Sequence, residues 1–323
     1  YEMTSSLVGS EMCIRDSTYT IPAKLVKAGK AVLAVRVSDF GGEGGIHGKA
    51  EDLYVEADGK RISLAGDWKY RIGLSLTGFP PAPISPVQSS SYPTVLFNAM
   101  VKPWTAFPIK GVIWYQGEAN VGRSEQYGDL FPALITDWRR QWRSDFPFYF
   151  VQLANFMESK KIQPDSEWAA LREAQTKALK LDQVGMAVTI DIGLADDIHP
   201  KNKQEVGRRL ALVALAGSYG KNVSSSAPVF QNYIIKGNKM ELDFGQKQDG
   251  FQIKGTTLKG FTIAGPDRVF YPAEAMVHDG KIILSSTEVP APLAARYGWA
   301  DNPDCNLYGE NGLPVAPFRT DCW

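Results

Sequence analysis

The alternation of strand-like apolar runs with helical periodicity between residues 93 and 217 constrains the fold of this chain most. Residues 111–115 (Gly-Val-Ile-Trp-Tyr), 148–153 (Phe-Tyr-Phe-Val-Gln-Leu) and 185–190 (Gly-Met-Ala-Val-Thr-Ile) are short runs of strand length. Between the first two, Tyr127, Leu130, Phe131, Leu134, Ile135, Trp138 and Trp142 recur at helical spacing along one face. Ser166 offers a side-chain cap to a second helix running through Lys180, and a third ends near Gly217. Such alternation predicts a parallel sheet covered by helices. Active sites in these sheets gather at the carboxyl ends of the strands.

The flanking regions read as β. Residues 31–37 (Ala-Val-Leu-Ala-Val-Arg-Val) have the composition of a buried strand, and residues 53–56 and 61–64 flank the Asp58-Gly59 hairpin signal. Residues 41–45 (Gly-Gly-Glu-Gly-Gly) form a loop without the Lys-Ser/Thr ending of a phosphate cradle. A Pro/Ser-rich linker follows from Pro80 to about Pro93. Beyond Val229, Met240, Leu242 and Phe244 alternate onto one face, Gly237-Asn238 and Asp279-Gly280 mark two hairpins, and residues 296–323 read as ordered loop. Residues 7–17 resemble the eleven-codon translation of a transposase sequencing adapter, so residues 1–17 are expected to be an artefact, with Cys13 meaningless and the gene truncated upstream; the alternative is a natural disordered N-terminus. The remaining thiols, Cys305 and Cys322, are either a pair formed by a folded-back tail or two free groups.

Charge narrows the partners. Thirty-five basic and thirty-five acidic residues give no general attraction for nucleic acid or anionic lipid, and no apolar run approaches the roughly 20 residues that cross a bilayer. Two strand ends carry chemistry. Residues 114–120 (Trp-Tyr-Gln-Gly-Glu-Ala-Asn) bring Gln116, Gly117 and Asn120 to one turn, a grouping of donors suited to the oxyanion of acyl transfer. The alternative is a polar turn with a helix cap. Residues 196–200 (Asp-Asp-Ile-His-Pro) place His199 close behind two acids, and a carboxylate there fixes the imidazole tautomer that accepts a proton from a serine. His47 and His278 read as surface residues, and no second histidine or cysteine stands at metal-ligand spacing from His199. Both strand ends belong to one sheet, so the turn and His199 are expected to lie side by side.

Residues 111–120, 168–175 (Trp-Ala-Ala-Leu-Arg-Glu-Ala-Gln) and 197–210, together with 296–300 and 317–319 near the end, resemble the bacterial sialate O-acetylesterases of the Ser-Gly-Asn-His hydrolase superfamily. The resemblance covers roughly residues 18–323. It implies an α/β chain with a flavodoxin-like three-layer hydrolase domain, incomplete here, an interrupting galactose-binding-like β-sandwich and a C-terminal β region. On that reading residues 18–73 end the sandwich, 74–92 are linker, 93–220 are the hydrolase domain's C-terminal part and 221–323 the β region. The resemblance further implies a Ser-His-Asp mechanism on an O-acetylated sugar without metal or organic cofactor, in a periplasmic or secreted protein. His199 is then the base, Asp196 its orienter by the Asp-x-x-His spacing with Asp197 as competitor, and Gln116, Gly117 and Asn120 the oxyanion block. The family's serine lies in a Gly-Gln-Ser-Asn segment that these 323 residues do not contain, so no nucleophile is assigned. Residues 98–100 (Asn-Ala-Met) stand where some members carry a glycine after the asparagine. An acetylxylan-type esterase and a non-catalytic carbohydrate-binding protein are the competing functions.

Overall fold

The computed structural model describes residues 19–22, 26, 29–30, 32–36, 49–73, 92–245 and 250–323. Residues 7–17 with Cys13, the glycine loop at 41–45, His47 and most of the Pro/Ser linker lie outside these. The chain divides into two units, Tyr1–Leu96 and Phe97–Trp323.

In the first unit β1 (Tyr54–Ala57) and β2 (Lys60–Ser63) pair antiparallel across the expected turn, with Asp58 and Gly59 both at positive φ (51° and 72°). Two successive left-handed residues are what a tight hairpin needs to match the strand twist. The buried strand read into residues 31–37 is a correction. The described residues 32–36 adopt no strand and are exposed, Val32 at 90%. An apolar, β-branched run becomes a strand only through a ladder partner, and no ladder among the described residues includes it.

The second unit begins with the predicted parallel sheet, in the order β3 (Val112–Trp114), β4 (Phe148–Val151), β5 (Val184–Ala187). Three helices cover it: α1 (Ser124–Trp142), α2 (Glu167–Thr176) and α3 (Lys203–Gly217). β4 is buried on both faces because each face has a helix to pack on. Phe148 and Phe150 join Tyr127, Phe131 and Ile135 of α1 and Trp168 and Leu171 of α2 in one cluster. Tyr149 and Val151 point the other way, to Val206, Leu210 and Val213 of α3. Each fully buried Phe or Leu here contributes about 1.5–3 kcal/mol over its exposed state. The start of α2 is set as the sequence implies, by Ser166 Oγ accepting from the Ala169 N–H at 2.9 Å.

The rest of the unit is antiparallel β. One sheet runs β11 (Glu274–His278), β12 (Lys281–Ser285), β7 (Lys239–Asp243), β6 (Asn232–Lys236). A second runs β10 (Phe270–Pro272), β9 (Phe261–Ala264), β13 (Ala294–Tyr297), β15 (Phe318–Arg319). β8 (Phe251–Ile253) pairs with β14 (Leu307–Gly309). Met240, Leu242 and Phe244 alternate inward as expected and meet Ile263, Ile282, Leu284 and Tyr297 in a single core, against which Leu212 of α3 also packs. The segment after Arg296 departs from the expected loop, since β14 and β15 lie in it. Cys305 and Cys322 are both free thiols. Among the described residues no helix is long and apolar enough to cross a membrane.

Candidate active site

Gln116, Gly117 and Asn120 form one knot at the carboxyl end of β3. Gly117 has φ +157° and ψ −21°, a conformation that side-chain-bearing residues rarely adopt. A Cβ there would also stand 3.1 Å from Gln175 Nε2 and 3.4 Å from Leu153 Cδ2. The chain then closes a short 3-10 turn, with the Asn120 N–H donating to Gly117 O at 2.9 Å. Within it Gln116 Nε2 donates to Asn120 Oδ1 at 2.7 Å, while the Tyr127 hydroxyl donates to Gln116 Oε1 at 3.2 Å. The relay fixes polarity. Asn120 Oδ1 is taken, and among the described residues no acceptor meets Asn120 Nδ2 or the second N–H of Gln116 Nε2. Buried Gln175, at the end of the 168–175 motif, donates from Nε2 to Gln116 O (3.2 Å) and accepts from the Leu153 N–H (2.9 Å). It ties the ends of β3 and β4 together. Sequence reading placed Gln175 in a motif but gave it no task, and Tyr127 was read only as core. Beside the knot, burial with the nearby Glu118 charge pushes the Tyr115 phenol up to about 12.

His199 stands on the segment after β5. The path is set by Gly193, whose N–H donates to Asn155 Oδ1 at 2.7 Å and whose Cα lies so close to the Asn155 carbonyl that no Cβ fits. Leu194 forms a parallel bridge with Phe156. Asp197 Oδ1 accepts from the His199 backbone N–H at 2.8 Å and lies 3.6 Å from Nδ1, and Asp197 Oδ2 is 4.0 Å from Lys201 Nζ. The Asp196 carboxylate is exposed and takes part in no hydrogen bond or ion pair among the described residues. The imidazole is half exposed to solvent.

The helix after His199 is pinned. Asn202 Oδ1 caps α3 by accepting from the Glu205 N–H at 3.1 Å. Arg209 grips Asp191 with two bonds (2.6 and 2.9 Å), donates to Val188 O at 2.6 Å and meets Glu205 at 2.7 Å. Tyr308 of β14 also donates to Asp191. Hydrogen bonds from Arg208 and then Arg209 outweigh desolvation and hold the Glu205 carboxyl down to about 2. A carboxylate with a depressed folded pKa adds stability that is complete above its unfolded value and lost as pH falls through the folded one. Chemical denaturation compared at pH 5 and pH 2.5 is expected to show a smaller acid loss in Glu205→Gln than in the wild type. An identical loss in both would contradict this.

The two segments share a core cluster. Ile198 packs against the cluster that holds Trp114 and Val121 on either side of the 116–120 turn, and Lys203 Nζ lies 4.8 Å from the Tyr115 ring centre. No hydrogen bond links His199 to Gln116, Gly117 or Asn120, and among the described residues no serine hydroxyl bonds to His199. His278 is exposed, as expected.

Residues 82–216 match the family model described as a carbohydrate esterase, sialic acid-specific acetylesterase. The sialate O-acetylesterase of Pongo abelii is 32% identical over 284 residues, covering 78% of this chain and 54% of that protein. The sialate O-acetylesterase of Homo sapiens is 31% identical, with the same two coverages. A crystal structure of a carbohydrate acetylesterase from Xanthomonas citri superposes with a TM-score of 0.68 at 46% identity, covering 72% of this chain and 55% of that one. The chain spans about half the length of the curated relatives it matches.

Proposed function

Because the chain belongs to the carbohydrate esterase family of sialic acid-specific acetylesterases, we propose that its hydrolase portion supplies the base and the oxyanion donor for removing O-acetyl groups from sialic acid or a related sugar. The flavodoxin-like layering, the interrupting β-sandwich and a periplasmic or secreted location belong to the same reading. The observation that carries it is the polarity of the Tyr127–Gln116–Asn120 relay, which leaves Asn120 Nδ2 as a rigid, unspent donor at the end of β3.

The serine of the family's Gly-Gln-Ser-Asn segment, absent from these 323 residues, attacks the acetyl carbonyl. His199 takes the serine proton, and the oxyanion rests on Asn120 Nδ2. Collapse breaks the bond to the sugar oxygen, which leaves with the proton from His199. Water activated by His199 then attacks the acetyl-serine, releasing acetate and restoring the hydroxyl. Asp196 is the acid that orients the imidazole. Asp197 Oδ1 lies 3.6 Å from Nδ1 but already accepts the backbone N–H two residues on, and its Oδ2 faces Lys201, so its work is to hold the turn. The Asp196 carboxylate is exposed and takes part in no hydrogen bond or ion pair among the described residues, which leaves it available to the imidazole.

The tests use a chain extended upstream with the serine-bearing segment of a relative. Asn120→Ala is expected to lower kcat for an acetyl ester by about 10²–10³ with KM little changed, the signature of an interaction made in the transition state. An unchanged kcat removes Asn120 from the site. Asp196→Asn is expected to lower kcat about 10⁴-fold, as loss of the orienting acid does in a serine triad. Asp197→Asn is expected to cost less. The reverse order would hand the role to Asp197.

A further inference from the structure

A cleft of about 460 Å³ opens between residues 159–164, which follow β4, and the sheet formed by β10, β9, β13 and β15. Its size lies within the roughly 300–1,000 Å³ of small-molecule sites. It shares no lining residue with the 116–120 turn or with residues 196–199, so the acetyl-transfer site does not account for it.

The floor is apolar and fixed. Leu258, Phe261, Phe270 and Ala300 lie there, each buried. One wall is held by a buried ion pair. Arg296 donates to both carboxylate oxygens of Asp321 (2.8 and 2.6 Å) and to Pro164 O at 2.8 Å, its guanidinium 3.9 Å from the Phe270 ring centre. Trp299 Nε1 donates to the same Pro164 carbonyl at 3.0 Å. The rim is cationic. Lys160, Lys161 and Lys259 are exposed there, and Asp304 answers Lys259 at 2.8 Å. Lys160 and Lys161 meet no carboxylate among the described residues, so the mouth keeps two uncompensated positive charges over an apolar floor. That combination fits a ligand with one carboxylate and a small apolar substituent. A neutral sugar would leave the two ammonium groups unused, and an apolar ligand would desolvate them without return.

We propose that this cleft binds an acidic N- or O-acylated sugar, with its carboxylate on Lys160 and Lys161 and its acyl methyl on the Phe261–Phe270 floor, as a second site separate from the His199 centre. The choice of a sugar rests on the proposed function, whereas the anionic and apolar requirements rest on the cleft alone. The test is titration of the 323-residue chain with N-acetylneuraminic acid, its methyl ester and neutral N-acetylglucosamine, followed by calorimetry. The free acid is expected to bind, with affinity at least tenfold weaker for the ester and for the neutral sugar. The paired substitution Lys160→Glu and Lys161→Glu is expected to weaken it at least tenfold, and Lys160→Arg with Lys161→Arg to preserve it. His199→Ala is expected to leave it unchanged. No binding of the free acid, equal binding of the ester, or indifference to the glutamate pair would overturn the proposal. Loss of binding in His199→Ala would move the sugar to the acetyl-transfer site and overturn the second site while sparing the esterase reading.

Discussion

In a chain extended with a relative's serine-bearing segment, His199→Ala is expected to lower acetyl-ester turnover by about 10⁴- to 10⁶-fold, the range seen when a triad histidine is removed. The size of the loss follows from what His199 does twice. On the proposed mechanism it takes the serine proton during acylation and activates water during deacylation, so its removal slows both halves. Little of the loss should come from folding, because the side chain is half exposed and its neighbours are held by other groups. Asn202 caps α3, Arg209 fixes residues 188–191, and Ile198 packs into the core without help from the imidazole. Unfolding midpoints of variant and parent should therefore agree while turnover collapses. Turnover within tenfold of the parent would remove His199 from the chemistry.

The largest effect on stability is expected at Arg172. Its side chain is fully buried, and burial pulls its guanidinium down to about 9. Nε donates to Leu153 O (2.9 Å), Nη1 to Ala300 O (2.7 Å) and Nη2 to Ala154 O (3.0 Å) and Asp301 O (2.7 Å). One side chain thus joins the end of β4 to the segment after β13. In Arg172→Met, Ala154 O keeps Trp168 Nε1 and Asp301 O keeps the Phe156 N–H. Leu153 O and Ala300 O lose their donors, at about 1–3 kcal/mol for each buried acceptor left unsatisfied. Relief of the cost of burying a cation offsets part of this, so the net loss is expected to be about 3 kcal/mol. Urea denaturation measures it, with methionine chosen to preserve volume. A loss below about 1 kcal/mol would mean that the four contacts do not hold these segments together.

The helices, the turns and the parallel sheet were legible, whereas several strand pairings outside that sheet were not. α1 was readable from Ser124 to Trp142 because its apolar face repeats at helical spacing with no competing pattern. The turns at Asp58-Gly59 and Asp279-Gly280 were readable because only residues tolerant of positive φ fit them. Residues 31–37 misled, since Val and Leu in sequence carry strand propensity but say nothing about a ladder partner. β14 and β15 were missed because their partners, β8 and β13, lie far away along the chain or within the same Gly- and Pro-rich tail. The site divides the same way. Gln116, Gly117, Asn120, Asp196, Asp197 and His199 stand in two short motifs at strand ends. The groups that give those motifs their polarity, Tyr127 and Gln175, come from helices whose contacts only tertiary packing reveals.

On the proposed reading this chain carries the base and the oxyanion donor of a carbohydrate acetylesterase, and the nucleophile comes from a Gly-Gln-Ser-Asn segment. Acetate release from O-acetylated sialic acid tests it directly, measured for the 323-residue chain and for the same chain joined to that segment of a relative. The extended chain is expected to release acetate at an enzymatic rate. The 323-residue chain should retain at most the roughly 10³-fold acceleration over water that an oxyanion hole and binding alone provide. Equal rates from the two would contradict the claim, as would an extended chain, folded by circular dichroism, that releases no acetate.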